Sequence, residues 1–174
     1  MDERPDEDLV AASRHGDRTA YATLLRRHAK RVYAVCLGIL GGVSDSEDIA
    51  QEAFVKGMTG IWALRDGNQF GSWICQIARN LCRDHLRRQS RYRELLNRQS
   101  AERELNRSDF SDLHAALAGL PEKYRLPLML FYFDGKTTEK LAQELDLSQA
   151  GACTRLSRAR KELRKLLSKQ AGAK

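Results

Sequence analysis

The stretch Lys136–Leu167, KTTEKLAQELDLSQAGACTRLSRARKELRKLL, decides how this chain is read. Two segments of helical periodicity flank Asp146-Leu147-Ser148. Thr137 is placed to cap the first helix, whose apolar side is Leu141, Ala142 and Leu145, and Ser148 to cap the second by accepting a backbone N–H bond. On the second helix Ala152, Leu156, Ala159, Leu163 and Leu166 form a narrow stripe at helical spacing. Arg158, Lys161 and Lys165 occupy the opposite side, with Arg155 and Arg164 flanking. A short helix, a tight turn and a longer basic helix is the arrangement that delivers a recognition helix to the major groove of duplex DNA. A merely solvated amphipathic helix would carry similar charges. Turn, cap and charge agree on the DNA-binding reading.

The 174 residues suffice for one medium domain or two small ones, and the formal net charge of +7 favours a polyanionic partner. Its distribution is uneven. Met1–Asp8 sets five carboxylates against Arg4, whereas Arg79–Arg98 holds seven Arg against Asp84 and Glu94, and Arg155–Lys169 holds seven Lys or Arg against Glu162. No segment approaches the roughly 20 apolar residues that span a bilayer, and the acidic start lacks the positive flank and apolar run of a signal peptide. A cytoplasmic protein without membrane contact of its own is expected. Cys36, Cys75, Cys82 and Cys153 have no paired spacing and read as small hydrophobes. Cys75, Cys82 and His85 would share one side of a helix, but no fourth ligand lies within sequence reach, so no metal site and no cofactor are expected. His15, His28 and His114 stand alone.

Outward from the opening stretch, the periodic segments are almost all helical and the chain reads as all-α. Asp6–Arg14 is a short helix, and Asp17 caps a longer one to about Leu40, ended by Gly41-Gly42. Ser44-Asp45-Ser46-Glu47 has the spacing of a capping box and opens a helix to about Ile61. Leu64–Gly71 reads as a loop, and Ser72 begins another long helix that turns Arg-rich past Arg87. These helices form a first bundle, residues 1–92. The polar stretch 93–109 reads as a flexible linker with some helix at the start of the polar region, and a second small helical domain, 110–174, follows from Phe110 and carries the helix-turn-helix. Pro121 suits the first turn of a helix. The apolar run Leu126–Phe133, LPLMLFYF, is expected to be the buried central helix of the small domain, bent or interrupted near Pro127.

No catalytic arrangement is present: no Gly-rich phosphate loop, no nucleophile elbow, no zinc-protease helix, no carboxylate pair beside a histidine. An enzyme is therefore not expected. On the helix from Ser44, Asp45, Asp48 and Glu52 project to one side while Ile49, Ala50, Ala53, Phe54 and Ile61 project to the other. The acidic side is either a solvated face or a docking surface for a basic partner, where complementary charge sets on-rate and register. A third group is Trp62, then Phe70-Gly71-Ser72-Trp73, then Arg79, Asn80, Arg83 and Arg87. Aromatic and Arg planes hold unstacked bases while further Arg residues neutralise phosphates. Trp62 and Phe70, bordering the loop, have a better claim as platforms than Trp73, a residue type more often in the core. Asn80 offers both a donor and an acceptor to a base edge.

Four motifs in order, DSEDIAQEAFVK (Asp45–Lys56), FGSWICQIARNLCRDHLRR (Phe70–Arg88), LPEKYR (Leu120–Arg125) and LDLSQAGACTRLSRARKELRKLL (Leu145–Leu167), closely resemble a bacterial RNA polymerase sigma factor of the extracytoplasmic-function group of the sigma-70 family. The resemblance runs from about Leu9 to Leu167. It implies a sigma factor that binds core RNA polymerase, reads the −10 and −35 elements of promoter DNA and aids strand opening. It assigns Asp45, Asp48, Gln51 and Glu52 to the polymerase and Trp62, Phe70, Trp73, Arg79, Asn80 and Arg83 to the melted −10 element. The helix from Ser148, with Gln149, Cys153, Thr154, Arg155, Ser157, Arg158 and Lys161, falls to the duplex −35 element. An anti-sigma protein is the implied regulatory partner. One departure stands out: where such proteins carry a Gly-Thr-Val-Lys-like start to the recognition helix, this chain has Ala150-Gly151-Ala152-Cys153, which moves the groove-facing charge to Arg155 and Arg158. Two other classes share part of the pattern: an ordinary helix-turn-helix regulator, and a protein-only adaptor of two bundles. The acidic helix and the aromatic-Arg group argue against the first.

Overall fold

The computed structural model describes residues 3–96, 111–133, 135 and 137–171, and every regular element among them is helical. In chain order these are α1 (Asp6–Arg14), α2 (Arg18–Leu40), α3 (Val43–Gly60), α4 (Phe70–Leu96), α5 (Ser111–Gly119), α6 (Glu122–Phe133), α7 (Thr138–Glu144) and α8 (Gln149–Ala171). Short 3₁₀ turns at Ile61–Ala63 and Gly67–Gln69 connect α3 to α4. The all-α expectation holds.

Local chemistry sets most of the boundaries. Asp17 Oδ1 accepts from the backbone N–H of Thr19 at 2.9 Å and of Ala20 at 3.0 Å, and from the Thr19 hydroxyl at 2.6 Å. The Thr19 hydroxyl, with those N–H groups, holds the Asp17 carboxyl below its ordinary value. At the far end of α2 Gly41 adopts φ +78°, and a Cβ there would lie 2.6 Å from Arg125 Nη1. Glycine meets both demands.

α2 is the axis of the first bundle, packed by α1, α3 and α4. Leu24, Val32, Val35 and Ile39 of α2 meet Ile49 and Phe54 of α3 and Phe70, Ile74 and Leu81 of α4 in the buried core. Tyr21 reaches across to donate its hydroxyl to Phe54 O at 2.5 Å, and burial pushes its pKa up to about 12. In the second bundle α8 packs against α5, α6 and α7. The two bundles do not keep separate cores. α6 lies along α2, and the buried residues Leu128, Met129, Leu130, Leu141 and Leu156 are continuous with those of the first bundle. The run Leu126–Phe133 is therefore buried as expected at its centre, yet largely against the neighbouring bundle, and its end emerges: Tyr132 and Phe133 are exposed.

Three details of the sequence reading change. The Ser44–Glu47 capping box does not form: α3 starts at Val43 behind Gly42 without a side-chain cap. The left-handed turn at Gly41 puts Ser44 already inside the first turn, and the Ser46 hydroxyl donates to Gly42 O instead. The expected loop Leu64–Gly71 contains a 3₁₀ turn, and α4 begins at Phe70 rather than Ser72. α6 runs through Pro127 without interruption. Pro127 has no N–H to give Lys123 O, so α6 forgoes that one bond while keeping its helical path. The helix expected at the start of the polar stretch is the end of α4, which runs to Leu96, while 97–110, the rest of the expected linker with Phe110, lies outside the described residues.

Candidate nucleic-acid interface

The helix-turn-helix forms from its own residues. Thr137 Oγ1 accepts from Lys140 N–H at 3.4 Å and so caps α7. The turn is closed by Leu147 N–H donating to Ala142 O at 2.8 Å, with Asp146 at φ +53°. Asp is among the few residues besides Gly that tolerate this left-handed conformation. Ser148 Oγ then accepts from Gly151 N–H at 3.1 Å and starts α8. Ala152, Leu156 and Ala159 are buried against Leu141 and Ala142 of α7 and the core. The opposite face of α8 is left to solvent: Gln149, Cys153, Thr154, Ser157, Arg158 and Lys161 are all exposed.

These side chains are not equivalent. Gln149 Nε2 donates to Glu139 Oε1 at 3.3 Å, tying the start of α8 to α7. Arg155 is half-buried in a depression with Glu122, Lys123, Leu126, Pro127 and Leu145. Arg160, though exposed, is engaged by its own chain: it stands over the Phe131 and Tyr132 rings, 5.4 and 5.8 Å from their centroids, and donates to the Tyr132 hydroxyl at 3.2 Å. No ion pair among the described residues engages Arg158 or Lys161, so their charge is open to a phosphate backbone.

On the first bundle α3 turns Ile49, Ala50, Ala53 and Phe54 inward and presents Glu47, Asp48 and Gln51 to solvent. Asp45 and Glu52 are half-buried and partly engaged, Asp45 Oδ2 standing 3.5 Å from His85 Nε2 and Glu52 Oε1 3.1 Å from Lys56 Nζ. The acidic side is thus a surface, with Asp48 and Gln51 its unencumbered members.

The aromatic-Arg group divides. Trp62 is 69 % exposed on the turn that follows α3, a turn pinned by Arg14 donating to the carbonyls of Ile61 and Leu64. Phe70 is the opposite case and corrects the sequence reading. It is 0 % exposed, with its ring against Tyr21, His28 and Trp73, and has no face to offer a base. Trp73 is half-buried beside Gly57 and Gly60. Along α4, Gln76, Asn80, Arg83 and Arg87 share one exposed stripe, with Gln76 Nε2 donating to Asn80 Oδ1 at 3.0 Å. Gln76 escaped the sequence reading, although its place one turn before Asn80 was the available signal. Arg79 leaves that stripe: its Nη2 reaches Glu144 Oε1 of α7 at 2.5 Å, and burial lowers its pKa. His28, silent in the sequence, pairs with Asp6 Oδ2 at 2.6 Å and backs Phe70. Cys36, Cys75 and Cys82 are buried in the core, where a hydrogen bond with Cys82 and burial push the Cys36 thiol up, whereas Cys153 is exposed. No group of three or more His, Cys, Asp or Glu among the described residues is placed to hold a metal, and no described helix is long and apolar enough to cross a membrane.

An exposed basic helix behind a capped turn, joined to a bundle with an acidic helix and an aromatic-Arg stripe, defines a two-module helical DNA-binding protein. Residues 24–92 match the family model for sigma-70 region 2, and residues 110–163 the model for sigma-70 region 4. The chain is 30 % identical over 126 residues to the RNA polymerase sigma factor SigZ of Bacillus subtilis, covering 70 % of this chain and 72 % of that one. It is 27 % identical over 172 residues to the extracytoplasmic-function sigma factor SigW of the same species, covering 87 % and 91 %. A probable sigma factor of Xanthomonas campestris, RfaY, is 33 % identical over 163 residues; these cover 86 % of this chain but 40 % of that longer protein. The Bartonella quintana sigma factor RpoE, solved with the anti-sigma factor NepR, shares the fold at a TM-score of 0.67 and 21 % identity, over 85 % of this chain and 96 % of that one. The chain belongs to the sigma-70 family of RNA polymerase sigma factors, in its extracytoplasmic-function group. Its function is that of the family, directing RNA polymerase to promoters.

Proposed function

We propose that the three surfaces divide that function among named residues. Asp45, Asp48, Gln51 and Glu52 on α3 dock core RNA polymerase, with Asp48 and Gln51 at the centre because they are exposed and not drawn into neighbouring pairs. Trp62, Asn80 and Arg83 engage the melted −10 element, Trp62 as the stacking platform and Asn80 as the base reader. Trp73 and Phe70 serve from within, holding the turn and the start of α4, and Arg79 joins the contact once released from Glu144. On α8, Arg158 and Lys161 neutralise phosphates, while Gln149, Cys153, Thr154 and Ser157 face base edges and Arg155 stands at the margin. The working domains are 1–92 and 110–174, with 93–109 between them. The protein itself makes and breaks no covalent bond, works in the cytoplasm with the polymerase, and is held in check by an anti-sigma factor.

The observation that carries this reading is the outward face of α8. Six short or cationic side chains are exposed on a helix whose start is fixed by Ser148 and whose inner stripe is buried. Capture of core polymerase by the free protein, followed by run-off transcription from a selected promoter, tests it. A helix-turn-helix regulator would bind duplex DNA alone and leave core polymerase uncaptured; an adaptor would yield no transcript. Purification from the native cell is expected to bring down a stoichiometric inhibitor.

A further inference from the structure

Between α3 and α4 burial recurs at every third residue. Ile61, Leu64, Gly67 and Phe70 are buried, and the pairs between them, Trp62-Ala63, Arg65-Asp66 and Asn68-Gln69, are exposed. That is the period of the two 3₁₀ turns in this segment, in which side chains three apart eclipse one another. The segment therefore has an inner rail and an outer rim. Trp62 stands on the rim, so little of its own packing fixes its direction.

The inner rail rests on α1. Arg14, half-buried at the end of α1, donates from Nε to Ile61 O at 3.4 Å and from Nη2 to Leu64 O, carbonyls on either side of Trp62. Near the other end of the segment, Gly67 lies on α1 so closely that a Cβ there would stand 2.7 Å from Glu7 Cα and 3.3 Å from Glu7 O. Asn68 Nδ2 also donates to Glu7 Oε2 at 3.1 Å. α1 is itself anchored on α2: Leu9 and Val10 are buried in the core, and Asp6 pairs with Arg27 Nη1 at 2.9 Å and with His28 Nε2 at 2.6 Å. Both ends of one short helix thus grip both ends of one turn.

The consequence is preorganisation. A ring that must be ordered at the moment it stacks on a base binds the melted strand less well than a ring already held in place. A turn clamped by its carbonyls through a guanidinium is ordered during folding instead. We propose that α1 is the positioning element of the strand-opening turn. Arg14, through the Ile61 and Leu64 carbonyls, and Glu7, through Gly67 and Asn68, hold Trp62 in the outward pose in which it stacks on a base of the melted strand. Arg14 and Glu7 are positioning residues that act through the turn. The proposal rests on the −10 assignment of Trp62 above.

The test reads the turn and its work separately, in the full chain. Trp62 and Trp73 are the only tryptophans of the sequence, so a Trp73→Phe background leaves Trp62 as a single reporter. In that background Arg14→Met, which keeps the apolar stem and removes the donors, should release Trp62 into fast local motion in time-resolved fluorescence anisotropy. Arg14→Lys keeps part of the donor set and should fall between the two. With Trp73 intact and core polymerase present, Arg14→Met should slow promoter opening, followed by permanganate reactivity, by about three- to tenfold, the range for ordering one side chain on binding. Gly67→Ala, which forces the other end of the turn off Glu7, should do the same. Both are read at a temperature where circular dichroism shows the variants folded, and core-polymerase affinity should stay at the wild-type value. Arg14→Met added to Trp62→Ala should slow opening no further than Trp62→Ala alone, because both act through one ring. Wild-type opening in either variant, unchanged restraint of Trp62 in Arg14→Met, or a slowing that adds in full to that of Trp62→Ala would overturn the proposal. Trp62→Ala opening as fast as wild type would instead remove the −10 assignment of Trp62, and the anisotropy comparison would still decide whether α1 holds the turn.

Discussion

Replacing the buried Arg125 with leucine should cost this chain much of its stability. The guanidinium serves four carbonyls at 2.8 to 3.0 Å, two on α2 and two at the end of α5. Each buried acceptor left without a donor costs about 1–3 kcal/mol, which sets an upper range of about 4–12 kcal/mol. Two effects reduce it. Burial lowers the Arg125 pKa, a sign that holding the cation there already opposes folding, and leucine removes that penalty. Water entering the loosened contact between α2 and α6 also rehydrates the Gly38 and Ile39 carbonyls. A net loss of about 3–5 kcal/mol remains, the size expected when two or so buried carbonyls stay without a donor. At about 2–4 °C per kcal/mol for a chain of this size, the melting temperature should fall by about 6–20 °C. Circular dichroism melts of Arg125→Leu, with Arg125→Lys as comparator, measure this. Lysine retains the charge but not the planar fork, and should fall between the two. A loss below about 1 kcal/mol for Arg125→Leu would refute the role assigned to the Arg125 hydrogen bonds.

Asp48→Arg combined with Glu52→Arg should abolish core-polymerase binding, reversal at a complementary surface costing several kcal/mol, while the melting temperature stays close to wild type; competition for core at wild-type concentration would remove the assignment. Trp62→Ala should slow strand opening, read by permanganate reactivity of the bubble, more than it weakens the closed complex. Asn80→Ala should lose about 1–3 kcal/mol of discrimination at one −10 base, and normal base preference would return it to a surface role. Because Cys153 is exposed, Cys153→Lys should leave stability unchanged, steepen the salt dependence of binding by about one charge and shift the −35 sequences selected from a randomised library. The Tyr21 phenol has its pKa raised in the fold from 10.0 to about 12, so its contribution is intact below pH 10 and is lost as pH rises through about 12. Tyr21→Phe should flatten that alkaline limb in pH-dependent melts and lose the hydrogen bond to Phe54 O; an unaltered limb would contradict the assignment.

Much of the site was legible because its causes are local. The cap at Asp17, the Gly41 stop, the Thr137 and Ser148 caps and the buried stripe of α8 each depend on groups within a few residues, and each stands in the structure as the pattern indicates. The acidic side of α3 was legible for the same reason, since the apolar positions that must be buried leave only one side outward. Where local rules competed the reading slipped: Ser44–Glu47 has a capping-box pattern, but the chain reversal at Gly41 starts the helix earlier.

The sequence by itself determined the helices, the turn between α7 and α8, the charge of each surface and, through its four ordered motifs, the family. Tertiary structure alone decided which aromatic faces solvent. Phe70 and Trp62 both border the same turn, yet Phe70 fills the space between Tyr21, His28 and Trp73 while Trp62 stays outside. It also decided that Arg79 meets Glu144, 65 residues away, and that Arg125 meets Gly38, 87 residues away. Hydrogen-bond caps and helical periodicity are written within one or two turns of chain. The partner of a buried charge is chosen by which surfaces collapse together, and no local pattern encodes that.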